Sequence, residues 1–142
     1  MEISFFQFIQ KGYNPLLALT AVISGAMLLW PLVRKGTGGP WVDTARAIQL
    51  INRDDALVVD VRDSGEYAAG HILGAKNLPL ARIDDGAGEL AKRKEKPVIV
   101  YDDGGERSAK AAAALKKQGF TQVANLTGGL GAWRQAGLPV EK

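Results

Sequence analysis

The feature that most limits what this chain can fold into is a run of nineteen positions, Pro15 to Val33 ("PLLALTAVISGAMLLWPLV"), with no charged residue. Wound as an α-helix at about 1.5 Å per residue, it would be roughly 28 Å long, close to the hydrocarbon thickness of a bilayer. A secretory signal peptide has a shorter apolar core, about 7–15 residues. No convincing small-x-small cleavage site follows Val33 either, since the chain continues "RKGTGGP". A helix packed on the core of a domain this small would show a polar stripe, whereas this run has none and is flanked by charge. The sequence therefore predicts one transmembrane helix over 15–33, preceded by an interfacial segment over 1–14 carrying Ile3, Phe5, Phe6, Phe8 and Ile9. A glycine-rich linker over 34–40 leads to a soluble domain over 41–142. Trp30 and Trp41 are expected at interfacial depth, and Ala21 and Gly25 read as ordinary lipid-facing residues.

Basic residues near the span set its direction. Lys11 precedes it, whereas Arg34, Lys35, Arg46 and Arg53 follow it. By the positive-inside rule the soluble domain is expected in the cytoplasm, at an inner or plasma membrane, with other membrane proteins as its partners. A periplasmic domain is the alternative if that small excess misleads. The chain has no cysteine, which removes disulfides, thiolate metal sites and thiol catalysis together. The net charge is +3, and basic residues are interleaved with acids, as in "ELAKRKEKP". That run reads as a solvated face, and nothing points to nucleic acid.

After the linker, strand-like and helix-like stretches alternate. "WVDTARAIQLIN" predicts a short strand and then a helix capped by Asp43 or Thr44. "ALVVDV" (56–61) and "PVIVY" (97–101) are continuous apolar runs ending in polar clusters, as buried parallel strands do. A short helix is expected over Ser64 to Ala69, a strand in "AKNLPL", helical structure over 89–95, and the longest helix of the domain over Arg107 to Lys117. "QVANL" is expected to be the last strand, followed by a closing helix from Leu130 to Gln135. Leu115, Phe120, Leu126 and Trp133 read as core. The fold class that follows is α/β, a central parallel sheet flanked by helices. In such sheets sites lie beyond the carboxyl ends of the strands, here at Asp60-Val-Arg62 and at "DDGGER" (102–107).

The second cluster has the parts of an anion cradle. It leaves a strand and enters a helix, so backbone N–H groups and the helix N-terminus can converge on one point. Gly104 and Gly105 permit the dihedral angles of a tight curl, and Arg107 supplies a permanently charged fork.

Three stretches in order, spanning about residues 41–139, resemble the rhodanese-like domain, the module of single-domain sulfurtransferases. "VVDVRDSGEYAAGHILGAKNLPL" is similar to the family's Asp-Val-Arg, Glu-Tyr/Phe, Gly-His-Ile and Gly-Ala-x-Asn-x-Pro signature. "IVYDDGGERSAKAAAALKKQGF" resembles its active-site strand, loop and helix, and "LTGGLGAWRQAGLPV" its closing element. The family loop is Cys-x-x-x-x-Arg, its cysteine carrying transferred sulfur as a persulfide. Gly105, Arg107 and Ser108 match, but the resemblance puts Asp102 at the cysteine position, with Asp103 and Glu106 elsewhere in the loop.

A carboxylate forms no stable counterpart of a persulfide. The resemblance therefore implies a module that binds or scaffolds at the membrane, with Asp102 filling the anion site from within. The alternative is a thiosulfate sulfurtransferase, either natural or a form in which the cysteine was replaced. Cysteine-dependent phosphatase chemistry on this fold fails for the same reason. An aspartyl phosphatase would need Asp-x-Asp and magnesium, whereas Asp102 and Asp103 adjoin. Asp60, Arg62 and Glu66 are expected to tie strand to helix under the loop, and His71 to pack and hydrogen-bond. Arg62 and Arg107 are the remaining anion contacts. No metal and no cofactor is implied.

Overall fold

The structure is a computed structural model that describes residues 15–37, 39–85 and 88–142, with side chains from 15–30 in the first segment. The chain divides into two compact units, Met1–Arg34 and Lys35–Lys142. The expected interfacial segment, 1–14, lies outside the described residues.

In the first unit, α1 (Pro15–Thr37) is a 23-residue helix. Leu16, Leu17, Val22, Met27, Leu28 and Trp30 on it are all exposed. Among the described residues no helix is long and apolar enough to cross a membrane. The expected span runs on to Val33, past the last described side chain of this helix.

The second unit is an α/β domain. Its strands are β1 (Trp41–Val42), β2 (Leu57–Asp60), β3 (His71–Ile72), β4 (Lys76–Asn77), β5 (Val98–Tyr101), β6 (Val123–Leu126) and β7 (Val140–Glu141). Its helices are α2 (Thr44–Asp54), α3 (Ser64–Ala69), α4 (Glu106–Lys117) and α5 (Gly129–Gln135). Five strands form one sheet in the order β1-β6-β5-β2-β4, every neighbouring pair parallel. The expected parallel sheet flanked by helices is the observed architecture.

The two apolar runs became β2 and β5 because each strand is buried along its whole length. Side chains alternate between the sheet's faces. Val59, Val98 and Val100 pack on one face with Leu115 and Phe120. Val58, Ile99 and Tyr101 pack on the other with Leu126, Leu130 and Trp133. Helix α4 presents Ala111, Ala112 and Leu115 to the first face, all with no exposure. The two alanines let its backbone lie close to the sheet. The helix stops where Gly119 takes a left-handed φ of 99° and the Phe120 N–H donates back to the Leu115 carbonyl at 3.2 Å. Helix α2 starts at Asp43, whose carboxylate accepts the Arg46 N–H at 2.7 Å.

Two expectations need correction. Residues 89–95 form only a 3-10 turn, Leu90–Arg93. Its closing bond, from the Lys96 N–H to the Arg93 carbonyl at 3.1 Å, spans three residues, and Pro97 directly after it has no N–H with which to continue a helix. The strand at "QVANL" is not the last, because β7 pairs antiparallel with β3, Ile72 opposite Val140 and His71 opposite Glu141. Trp41 lies in the expected short strand, β1, opposite Asn125, and its ring edge lies beside Gly105.

Replacing Leu115 by alanine should lower the domain's unfolding free energy by about 2–5 kcal/mol, the usual cost of emptying a buried leucine site. Urea denaturation of the full chain, followed by circular dichroism, measures it.

Candidate functional site

The parallel pairing of β2 with β5, Asp60 opposite Tyr101, sets the two polar clusters side by side at the carboxyl ends of the strands. Beneath them lies a buried network. The Asp60 carboxyl has no exposure and accepts the Arg62 backbone N–H at 2.9 Å. Arg62 also donates to it through Nε at 3.1 Å and Nη2 at 2.7 Å, while the same Nη2 reaches the Gly70 carbonyl at 2.7 Å. The Tyr101 hydroxyl donates to Asp60 at 2.7 Å and accepts the Ile72 N–H at 3.1 Å. Burial, with Asp60 beside it, pushes the Tyr101 phenol well above its ordinary value, so the hydroxyl stays a donor. The hydrogen bond to Asp60 raises the Arg62 guanidinium in turn.

Above this floor the chain curls from β5 into α4. The Asp102 side chain is buried, and it turns inward over its own loop. One carboxyl oxygen accepts the Gly105 N–H at 2.5 Å and the other accepts the Arg107 N–H at 2.9 Å. These are donors that a cradle would otherwise offer to a bound anion. The Arg107 Nε lies 3.7 Å from the same carboxyl. Ser108 closes the turn, its hydroxyl donating to the Gly105 carbonyl at 3.1 Å.

Gly105 is the glycine the curl requires. Its φ is 87°, and a Cβ there would sit 2.9 Å from the Trp41 ring. Gly104, which the sequence also suggested as necessary for the curl, has no left-handed φ and has open space where a Cβ would stand. Gly129 was not singled out as a site residue, yet it shapes the loop from α5. At φ 55°, its absent Cβ would fall 1.8 Å from the Asp102 carbonyl oxygen, and the neighbouring Leu130 N–H donates to that oxygen at 3.2 Å. The "GG" pair of the closing element was visible in the sequence, but its contact with a loop some 25 residues earlier was not.

Glu66, from α3, pairs with Arg107 through two bonds, 2.9 and 3.3 Å long. Arg107 holds the Glu66 carboxyl below the ordinary glutamate range, and Glu66 raises the guanidinium. Asp103 is exposed and lies 3.6 Å from Arg62 and 4.0 Å from Arg107. Glu106 opens the first turn of α4.

The structure thus gathers Asp60, Arg62, Glu66 and residues 102–108 at one place. His71 faces elsewhere. Its buried ring stacks on Tyr67 with centroids 3.7 Å apart, and it reaches the Tyr67 carbonyl at 2.8 Å and Glu141 at 3.2 Å. Among the described residues no group of three His, Cys, Asp or Glu side chains could hold a metal ion. Four carboxyl groups and two guanidiniums meet at the site, and each guanidinium is engaged by a carboxyl of the same chain.

A family model described as the Rhodanese-like domain matches residues 43–136. The Escherichia coli (strain K12) protein YibN, which is uncharacterized, is 38% identical over 131 residues, 91% of this chain and 92% of its own. A sulfurtransferase of Allochromatium vinosum is 39% identical over 92 residues, 65% of this chain and 84% of its own. The solved human single-domain sulfurtransferase TSTD1 is similar at a TM-score of 0.60 and 25% identity, covering 69% of this chain and 97% of that one.

Asp102→Ala strands two backbone donors, so it should cost about 1–3 kcal/mol of stability. It should also make the domain's melting temperature rise with added sulfate, while the unaltered chain responds little; a thermal melt series in sulfate reads both effects. Glu66 contributes stability above the ordinary glutamate range and loses it as pH falls through its depressed folded value. The difference between the unaltered chain and Glu66→Gln should therefore be largest near neutrality and vanish in acid, as read by denaturation at stepped pH.

Proposed function

The chain belongs to the rhodanese-like domain family, and from that premise we propose that it is a membrane-anchored binding or scaffolding module that does not transfer sulfur. The observation that carries this reading is the Asp102 carboxyl, folded onto the Gly105 and Arg107 N–H groups at the centre of the loop. The resemblance puts the family's sulfur-carrying cysteine at Asp102, and the chain has no cysteine to take its place. A carboxyl oxygen cannot accept a sulfane sulfur, hold it and release it to a second nucleophile. It also occupies the donors that would steady an incoming anionic sulfur donor.

The anchor is residues 15–33, the charge-free run, with the domain on the cytoplasmic side of an inner or plasma membrane. Other membrane proteins are the partners such a tether brings within reach. Some relatives are named sulfurtransferases, and the loop keeps Gly105, Arg107 and Ser108. The scaffold and the loss of its chemistry are therefore separable.

The test uses the full chain with thiosulfate and cyanide. No thiocyanate above the uncatalysed rate is expected, and Asp102→Cys should produce turnover if the rest of the cradle is intact. In parallel, crosslinking in native membranes should give discrete membrane-protein adducts. Enzymatic thiocyanate formation by the unaltered chain would overturn the reading.

A further inference from the structure

The domain is electrically polarised along its strands. Helix α2 joins the end of β1 to the start of β2, and α4 joins the end of β5 to the start of β6. Because those strands are parallel, the carboxyl ends of both helices lie where the strands begin, opposite the Asp102 loop. The segment "KRKEK" (92–96) immediately precedes β5 and lies at that same end, its Lys94 carbonyl accepting the Thr121 N–H at 3.1 Å just before β6.

Over residues 53–55, 92–96 and 116–117, seven basic side chains stand against three acidic ones. Most are exposed, and only the Lys96–Asp55 pair, at 2.5 Å, is an ion pair among them. At the loop end the balance reverses: residues 60–66 and 102–107 hold six acids against Arg62 and Arg107.

The chain enters the domain at the basic end. A Cβ on Gly39 would lie 2.8 Å from the Val123 carbonyl oxygen and 2.9 Å from the Lys116 Nζ. Beside it opens a groove of about 400 Å³ lined by Arg46 and Lys116 together with Val42, Leu50 and Val123. Five residues lie between Val33 and Gly39, at most about 20 Å of extended chain from one to the other.

We propose that this basic, strand-start end of the domain is a lipid-facing surface whose lysines and arginines bind the phosphate headgroups of an anionic bilayer, leaving the Asp102 loop on the side away from the membrane. The inference rests on the reading that residues 15–33 span the bilayer, since the tether brings the basic end within reach of the headgroups. Anionic headgroups attract basic residues clustered beside a span, over a distance of about one Debye length. A site end of the opposite charge is repelled by the same surface. The loop is thereby offered to partners in solution or on neighbouring proteins.

The absence of cysteine makes the test clean, because a single introduced thiol carries the only label. Ala91→Cys places a fluorophore on the basic end, and Gly65→Cys places one at the loop end, where a side chain meets nothing within 4 Å. The full chain is reconstituted into phosphatidylcholine vesicles with or without phosphatidylglycerol, each carrying a headgroup-attached quencher. Quenching at position 91 should rise at least about threefold with the anionic lipid and fall back in high salt. Quenching at position 65 should stay low throughout. Lys92→Glu with Lys117→Glu should abolish the rise, and the salt response of the unreversed chain decides the matter if that variant fails to fold.

Equal quenching at the two positions, or none of the expected dependence on phosphatidylglycerol, overturns the proposal and leaves the basic face to an acidic protein. Carbonate extraction of the same vesicles tests the span separately. A chain released by carbonate overturns the anchor, while quenching at position 91 still decides the face.

Discussion

One buried carboxyl, that of Asp60, organises the domain. It stands at the end of β2 and takes hydrogen bonds from the Arg62 backbone, the Arg62 guanidinium and the hydroxyl of Tyr101 at the end of β5. Removing such a pair from water is expensive, and attraction between the partners offsets this only when the remaining donors and acceptors are satisfied. They are satisfied here: Arg62 reaches the Gly70 carbonyl and Tyr101 accepts the Ile72 N–H. The ends of two central strands and the return segment after α3 are thus tied to one point. Asp102 follows Tyr101 directly, so the loop begins from a fixed position.

On that foundation the positive charge of the site is consumed internally. Arg62 is held from below by Asp60, Arg107 from the side by Glu66, and the inward backbone donors by Asp102 itself. A loop able to receive an anion needs unfilled donors and an unpaired guanidinium. Here the chain supplies its own acceptors. Gly105 and Gly129 allow this compactness, since a side chain at either would collide with Trp41 or with the Asp102 carbonyl.

Parallel connectivity has a further electrostatic consequence. Helices α2 and α4 return the chain to the strand-start end before β2 and β6 begin, and their basic last turns are left there: Arg53 on α2, Lys116 and Lys117 on α4. Such placement favours the helix dipole. It also sums into a face opposite in sign to the loop end. Local helix chemistry and the polarity of the domain therefore have a shared origin.

Much of this was legible in the residues. "LVVD" and "VIVY" are short apolar runs ending in charge, as strands buried on both faces are, so the parallel sheet followed. The family followed from three ordered motifs. The 3-10 turn at Leu90–Arg93, the β3–β7 pairing, and the contacts of Trp41 and Gly129 with the loop did not follow. Each depends on a contact between residues distant in sequence or on closure by a neighbouring segment, and periodicity carries neither. Sequence alone determined that no thiol is present and that an acid opens the loop, because composition and order are covalent facts. Only tertiary structure decided that this acid turns inward onto Gly105 and Arg107, because the choice between solvent and those donors is made by the geometry of β5, α4 and α5 packed together.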